Sequence, residues 1–300
     1  MKTIKISNLL LVALFSTGML FTSCNKKTAE TDDDTTEASD HTTAENASND
    51  IINIGSQATD NNSAGFTANK ETATEGVLAY CALVKHDSIN KIDSVIFNNS
   101  TCMDGRLRNG ILIFNYSQST LGAKHYRNPG FKCSVTSVGY TVDGNAINII
   151  NKTIENTTAT NFDVGTTNLT WKISGHIQVV KSNGTHDFTF IRYKTLLNSN
   201  DPNVYHGQAT PITWNLAKVG ITGEASGTTA KGNTYTMNIT EQLVRDFGGC
   251  SFGKKHPFIS GKLEFTPGKK ATRFVDFGNG TCDNEATVTI KGRSKTITLN

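Results

Sequence analysis

The sequence predicts an all-β domain, built either as a strongly curved antiparallel sheet or as a β-sandwich of about a dozen strands. Between residues 77 and 300, runs of Val, Ile, Thr, Phe and Tyr are separated by Gly, Asn and Asp. This pattern is typical of short strands joined by tight turns. No part of this region has the apolar periodicity of a long amphipathic helix.

The first well-defined element is a hairpin centred on Asn183-Gly184. Asn-Gly readily adopts the positive φ angles of a type I′ turn, which matches the twist of the flanking strands. A two-residue loop here predicts that Val179 lies opposite Phe188 and that Ile177 lies opposite Phe190. All four side chains would then share one face, so turn geometry and hydrophobicity predict the same inner face.

A second hairpin is predicted at Ala230-Lys231-Gly232. Three loop residues with Gly last suit a type I turn followed by a G1 bulge. This arrangement predicts that Ala225 lies opposite Met237 and that Gly227 lies opposite Tyr235.

The N-terminus predicts an exported, lipid-anchored chain. Lys2 and Lys5 precede an apolar run from Leu9 to Phe21, which is the pattern of a signal peptide over residues 1–23. Thr22-Ser23 followed by Cys24 resembles a bacterial lipoprotein lipobox. The resemblance implies that Cys24 becomes the first mature residue, carries acyl chains and anchors the protein in a membrane. The expected location is the outer membrane of the cell envelope, on either its periplasmic or its outer face.

Charge divides the rest of the chain in two. Residues 25–76 contain eleven acidic residues and three lysines, a net charge of −8, with few apolar residues. We therefore expect residues 24–76 to form a disordered acidic tether. Its Asp32-Asp33-Asp34 run resembles the surface-export signals of Bacteroidetes-type lipoproteins. Residues 77–300 contain 24 Lys plus Arg and 15 Asp plus Glu, a net charge of +9, which would favour anionic ligands.

Two segments share the spacing Phe-x-Asn-x-Thr-Cys, namely Phe97–Cys102 and Phe277–Cys282. The stretch from Asp276 to Ile290 resembles the C-terminal signature of a family of uncharacterised Bacteroidetes-type lipoproteins. The stretch from Asp104 to Ile113 resembles the N-terminal signature of that family. The resemblance covers most of residues 77–300 and implies a secreted all-β domain, and it assigns no catalytic residue.

The cysteines predict two disulfides and one free thiol. Besides Cys24 there are five, and an exported chain folds where disulfides form. Cys250 follows one strand and Cys282 lies in a turn two strands later, so their pairing is easy. Cys81 and Cys102 bracket a strand pair in the same way. Cys133 lies outside the shared pattern and is then the buried free thiol.

The sequence lacks recognisable catalytic motifs. It has no His-Glu-x-x-His, no Gly-x-Ser-x-Gly and no nucleic-acid-binding motif, and we expect no metal and no cofactor. His176 and His186 come close across the first hairpin, where they would form an exposed polar ladder. The residues that could contact a ligand are two aromatic and two basic side chains: Trp171, Trp214, Lys254 and Lys255. Each tryptophan lies beside alternating apolar residues, so packing in the core or at a sheet edge is the favoured alternative for both.

The favoured function is therefore a non-catalytic envelope or surface module that binds a glycan or an envelope protein. The alternative is a hydrolase that acts on envelope or extracellular polymers. A hydrolase would need converging carboxylates or a Cys/His pair in a cleft. A concave basic or aromatic face would support the binding function.

Overall fold

The computed structural model describes residues 35–60, 81–161, 167–247, 250, 258–283 and 285–298. These form one long helix, α1 (Thr36–Asp60), a short 3-10 turn at Trp214–Leu216, and thirteen strands. The strands are β1 (Ala82–Asp87), β2 (Ile92–Thr101), β3 (Leu107–Asn115), β4 (Lys132–Val142), β5 (Asn145–Asn156), β6 (Thr170–Lys181), β7 (Gly184–Leu196), β8 (Lys218–Thr228), β9 (Thr234–Asp246), β10 (Phe258–Pro267), β11 (Arg273–Asn279), β12 (Glu285–Ile290) and β13 (Arg293–Thr298).

All thirteen strands belong to one antiparallel sheet, in which each strand pairs with its neighbours in the sequence. The all-β prediction is confirmed, and the curved sheet is the correct choice between the two predicted architectures. The sheet does not close, because within the described residues the first and last strands, β1 and β13, are not paired with each other.

The second predicted hairpin has the predicted register. Ala225 lies opposite Met237, and Gly227 lies opposite Tyr235. Gly232 adopts a φ of 80°, as the closing position of this turn requires.

The first predicted hairpin has the correct faces and the wrong register. Val179 pairs with His186 and Ile177 pairs with Phe188, so the strands are displaced by two residues from the prediction. The two loop residues are Ser182 and Asn183, and Gly184 follows them with a φ of 134°, a backbone conformation that favours glycine. A Cβ there would lie 2.2 Å from the carbonyl oxygen of Ala230, so the glycine permits close approach of another part of the chain.

The helix α1 corrects the prediction of a disordered tether for residues 36–60, and the other residues of that segment lie outside the described part of the chain. Side chains from β3, β4, β5, β6, β7, β9 and β10 contact α1, so the sheet curls around it. Nearly every side chain of α1 is buried, and polar ones are buried together with its alanines and isoleucines. Burial on all sides therefore holds a helix that has little apolar surface.

Two local features suit α1 to this interior. The hydroxyls of Thr42, Thr43 and Thr59 donate to carbonyl oxygens four residues earlier, so they do not need partners from the sheet. Gly55 lies against the buried ring of Phe114, where an added Cβ would come within 2.4 Å of a ring carbon. The glycine thus allows the helix to approach β3 closely.

Candidate binding site: a basic inner face occupied by an acidic helix

The inner face of the sheet carries an unusual number of buried cations. Six strand residues are at least 90% buried: Arg108, Lys152, Arg192, Lys194, Arg245 and Arg273. Buried charges are costly unless they are paired or hydrogen-bonded. The residues that pair with several of them come from α1.

Four carboxylates along α1 form ion pairs with the sheet or its loops. Near the start of the helix, Lys270 donates to Glu37 over 2.9 Å and Lys181 donates to Asp40 over 2.5 Å. Asn233 also donates to Glu37, over 2.7 Å. These contacts position the first turns of α1 against the ends of β6 and β10.

The central ion pair joins Glu45 to Arg192. The guanidinium donates to the two carboxylate oxygens of Glu45, through Nε over 2.8 Å and through a terminal nitrogen over 2.6 Å. This bidentate geometry gives the contact high specificity. Burial acts to raise the pKa of Glu45, but Arg192, Lys152 and Asn49 together lower it by more, and the net result is a lowered pKa. The carboxylate therefore stays ionised although it is fully enclosed.

Lys152 lies beside this pair, but among the described residues its ammonium forms no hydrogen bond with a carboxylate. Its ammonium donates to the hydroxyl oxygen of Ser48 over 2.9 Å and lies 4.6 Å from the centre of the Phe190 ring. Burial lowers the pKa of Lys152 to about 7, with Glu45 opposing the change. Lys152 therefore loses its proton more easily than an ordinary lysine does.

The last ion pair joins Asp50 to Arg108. Arg108 donates to both oxygens of Asp50, over 3.0 and 2.6 Å, and also donates to Asp104. The hydroxyl of Tyr140 donates to Asp50 over 3.1 Å. Burial acts to raise the pKa of Asp50. The contacts with Arg108 act in the opposite direction, and the net pKa falls.

A cluster of rings surrounds the two buried histidines of this interior. His41 of α1 stacks on Phe265 at 5.2 Å, and its Nδ1 lies 3.3 Å from Nε2 of His186. The Tyr235 oxygen lies 3.0 Å from the same Nε2. Burial lowers the pKa of His186 to about 4 and lowers that of His41 well below its ordinary value, so both rings are neutral. His176 lies on the outer face instead, so the predicted ladder of His176 and His186 is wrong.

A separate cavity of about 410 Å³, the rim pocket, opens between the β1–β2 turn and the loop after β3. His86 and Asp93 are cross-strand partners here, with Nδ1 of the imidazole 2.8 Å from a carboxylate oxygen. Burial raises the pKa of Asp93, and His86 partly offsets this change. Tyr116 and His125 complete the inner wall, and burial raises the pKa of Tyr116 to about 12.

Two of the predicted ligand-contact residues are structural. Trp171 and Trp214 are 0% and 8% exposed, and they pack with Tyr126 around the ammonium of Lys194. The Trp171 indole donates to the Tyr126 carbonyl over 2.9 Å. Both tryptophans face inward and surround a buried cation, which is the core packing that their apolar neighbours in the sequence favour. The other predicted site residues, Lys254, Lys255 and Cys24, lie outside the described residues.

Both expected disulfides are present, with Cα–Cα distances of 4.9 Å for Cys81–Cys102 and 5.5 Å for Cys250–Cys282. Cys133 is free and buried, as expected. Burial raises the pKa of this thiol, so it lacks the thiolate character of a nucleophile. The two disulfides indicate an oxidising, extracytoplasmic location.

Sequence reasoning missed the acidic partners on α1 and the rim pocket. The signal for the first was present in the charge pattern, because an acidic segment precedes a basic domain. Within the described residues, no group of three His, Cys, Asp or Glu side chains is placed to hold a metal ion. In the same part of the chain, no helix has the length and apolar character needed to span a membrane.

Comparison with known proteins adds no relative. No protein-family model matches this chain, and neither a curated protein nor a solved structure matches it.

Proposed function

We propose that this chain is a lipid-anchored protein of the outer membrane whose β domain binds an acidic segment of another envelope protein on its basic inner face. The observation that carries the proposal is the ionic contact between α1 and the sheet. Glu37, Asp40, Glu45 and Asp50 each pair with a cation of the sheet or its loops. In this state α1 occupies the place of the partner.

The polar character of this contact supports exchange of α1 for a partner. Buried ion pairs contribute specificity more reliably than net stability, because desolvation offsets much of their attraction. Within the described residues, the unclosed sheet also has two edge strands, β1 and β13, at which the curled structure can open. The inner face has cations beyond those that α1 pairs, including Arg245, whose guanidinium packs against Phe247 and Phe258.

We favour binding over hydrolysis for two reasons. The thiol of Cys133 is fully enclosed, so a Cys/His mechanism has no accessible nucleophile there. Glu224 and Glu264 share an open groove on the outer face, where both lie beside Asn238. Glu224 is solvent-exposed, whereas the general acid of a glycosidase is normally held in a shielded apolar site.

The experiment is an exchange assay on the folded protein. A protease site is introduced between residues 61 and 80, so that cleavage separates α1 from the sheet covalently without removing it. A fluorescent peptide with the sequence of residues 35–60 is then added, and its co-elution with the β domain is measured by size-exclusion chromatography. We expect the peptide to replace α1.

The matched control is the same peptide with Glu37→Gln, Asp40→Asn, Glu45→Gln and Asp50→Asn. We expect its affinity to be at least about 100-fold lower, because each loss leaves a cation of the sheet without its carboxylate. Equal binding of the two peptides, or an α1 that never exchanges after cleavage, would mean that the helix is a permanent part of the core.

The anchor is tested separately by mass spectrometry of the mature protein. We expect the N-terminal residue to be Cys24 carrying acyl chains, and we expect Cys24→Ala to release the protein from the membrane fraction. The cause is the loss of about 0.8 kcal/mol for each buried methylene. An unmodified N-terminal residue would contradict the anchor and would leave the binding proposal to be decided by peptide exchange.

A further inference from the structure

The rim pocket contains two imidazole rings, each with one nitrogen engaged and one nitrogen buried without a partner among the described residues. Nδ1 of His86 contacts Asp93, and its Nε2 has no hydrogen bond. The ring of His125 is hydrogen-bonded to the backbone of Thr59, at the end of α1, and its Nδ1 has no hydrogen bond. Buried polar atoms without partners are rare, and they commonly mark the place of a water or a ligand.

The engaged nitrogens determine what the other nitrogens can do. In the neutral ring with Nδ1 of His86 donating to the Asp93 carboxylate, Nε2 is a bare acceptor. The backbone contact raises the pKa of His125, as a carbonyl acceptor does, so this ring donates through Nε2 and its Nδ1 is also a bare acceptor. Burial and the neighbouring Arg127 and Lys124 lower the pKa of His125 to about 4, which keeps the ring neutral. Two acceptors in one cavity suit a ligand with hydroxyl donors.

The remaining walls select among such ligands. Lys91 and Lys124 line the mouth, whereas the carboxylates of Asp87 and Asp93 act on Tyr116 in the pocket wall, so an anionic group of a ligand is favoured on the lysine side of the pocket. The hydroxyl of Ser88 offers a further hydrogen-bonding group, and the fully exposed Leu121 gives an apolar lip. The volume of about 410 Å³ lies within the range of small-molecule sites.

We propose that the rim pocket binds a hydroxylated carboxylate of monosaccharide size, of the uronic acid class. Its hydroxyl groups donate to Nε2 of His86 and Nδ1 of His125, and its carboxylate lies at the mouth near Lys91. This site is separate from the inner face of the sheet and does not depend on the exchange of α1. Two imidazoles alone do not complete a metal site, since the described residues contain no third ligand for one.

Isothermal titration calorimetry of the intact protein tests the proposal with D-glucuronate, its methyl ester, D-glucose and D-glucosamine. We expect D-glucuronate to bind and the other three to bind at least about tenfold more weakly, because they lack the carboxylate or carry an amine. We expect His86→Phe and His125→Phe each to weaken D-glucuronate binding by at least about tenfold, since each removes an acceptor.

The matched control is His176→Phe. His176 also contacts a carboxylate, that of Asp187 at 3.0 Å, but it lies on the outer face and away from the pocket. We expect it to leave D-glucuronate binding unchanged. Ser88→Trp changes an exposed residue at the mouth and should block the pocket in a protein that keeps its melting temperature, which guards against a histidine variant that fails to fold.

Three results would overturn the proposal. One is the absence of measurable D-glucuronate binding. Another is binding that persists undiminished in Ser88→Trp or in the two pocket histidine variants. The third is binding of Zn²⁺ that requires both His86 and His125 and excludes the sugar, which would assign the pocket to a metal ion.

Discussion

At the scale of single residues, the stability of the interior depends on which counter-ion each buried charge contacts. Arg192 is almost fully buried, and the carboxylate it contacts on α1 is that of Glu45. Arg108 differs, because it has both Asp50 and Asp104. The pair of Glu45 and Arg192 is therefore the more sensitive to a single substitution.

We expect Glu45→Gln to lower the free energy of unfolding by about 3–5 kcal/mol, because the guanidinium stays buried without its counter-ion. Urea denaturation followed by circular dichroism measures the change. The matched control is Glu241→Gln, which removes the exposed pair with Lys262 and should change nothing measurable. The double variant with Glu45→Gln and Arg192→Met should recover most of the loss, and a double variant less stable than Glu45→Gln would contradict the explanation.

At the scale of elements, α1 and the two hairpins show what local sequence determines. The Ala230-Lys231-Gly232 turn could be predicted because its glycine serves the turn itself. Gly184 misled the prediction because it lies just after the turn, where it has a positive φ and closely approaches Ala230, which is remote in sequence. The helix could not be predicted at all, since its buried carboxylates need cations that only the folded sheet brings together.

We expect the packing of α1 against the sheet to depend on pH, because His41 of α1 contacts His186 of β7. His41 and His186 have pKa values below those of the unfolded chain, so unfolding takes up protons as the pH falls below 6.5, and for His186 this window extends to about pH 4. We expect the free energy of unfolding to fall as the pH falls through this window, by about 1.4 kcal/mol per pH unit for each proton. Below about pH 4.5 the lowered pKa values of Glu45 and Asp50 add to the loss in the same direction.

Urea denaturation at a series of pH values measures this dependence. His41→Phe keeps a ring against Phe265 and removes one titrating group, so its slope between pH 6.5 and 4.5 should be shallower than that of the unmodified protein. A slope that is the same in the His41→Phe variant would show that the buried histidines are not responsible.

At the scale of the whole molecule, the sequence predicts the architecture better than it predicts the site. Strand periodicity and turns identify an antiparallel sheet, and the spacing of Cys81, Cys102, Cys250 and Cys282 identifies both disulfides. For Trp171 and Trp214 the sequence leaves two roles open, core packing and ligand contact, because aromatic residues serve both cores and sugar sites and periodicity alone does not separate the two. The rim pocket joins a β1–β2 turn to a distant loop, so no local pattern indicates it.

The position of α1 ahead of every strand has a consequence for synthesis and secretion. The helical segment emerges first, yet its counter-ions are spread along the chain from Arg108 to Lys270. A polypeptide truncated before residue 270 would present Glu37 without its lysine, and one truncated before residue 192 would also leave Glu45 unmatched. The full set of ion pairs can therefore form only when nearly all of the domain has been synthesised. An unfinished polypeptide would remain accessible to proteases.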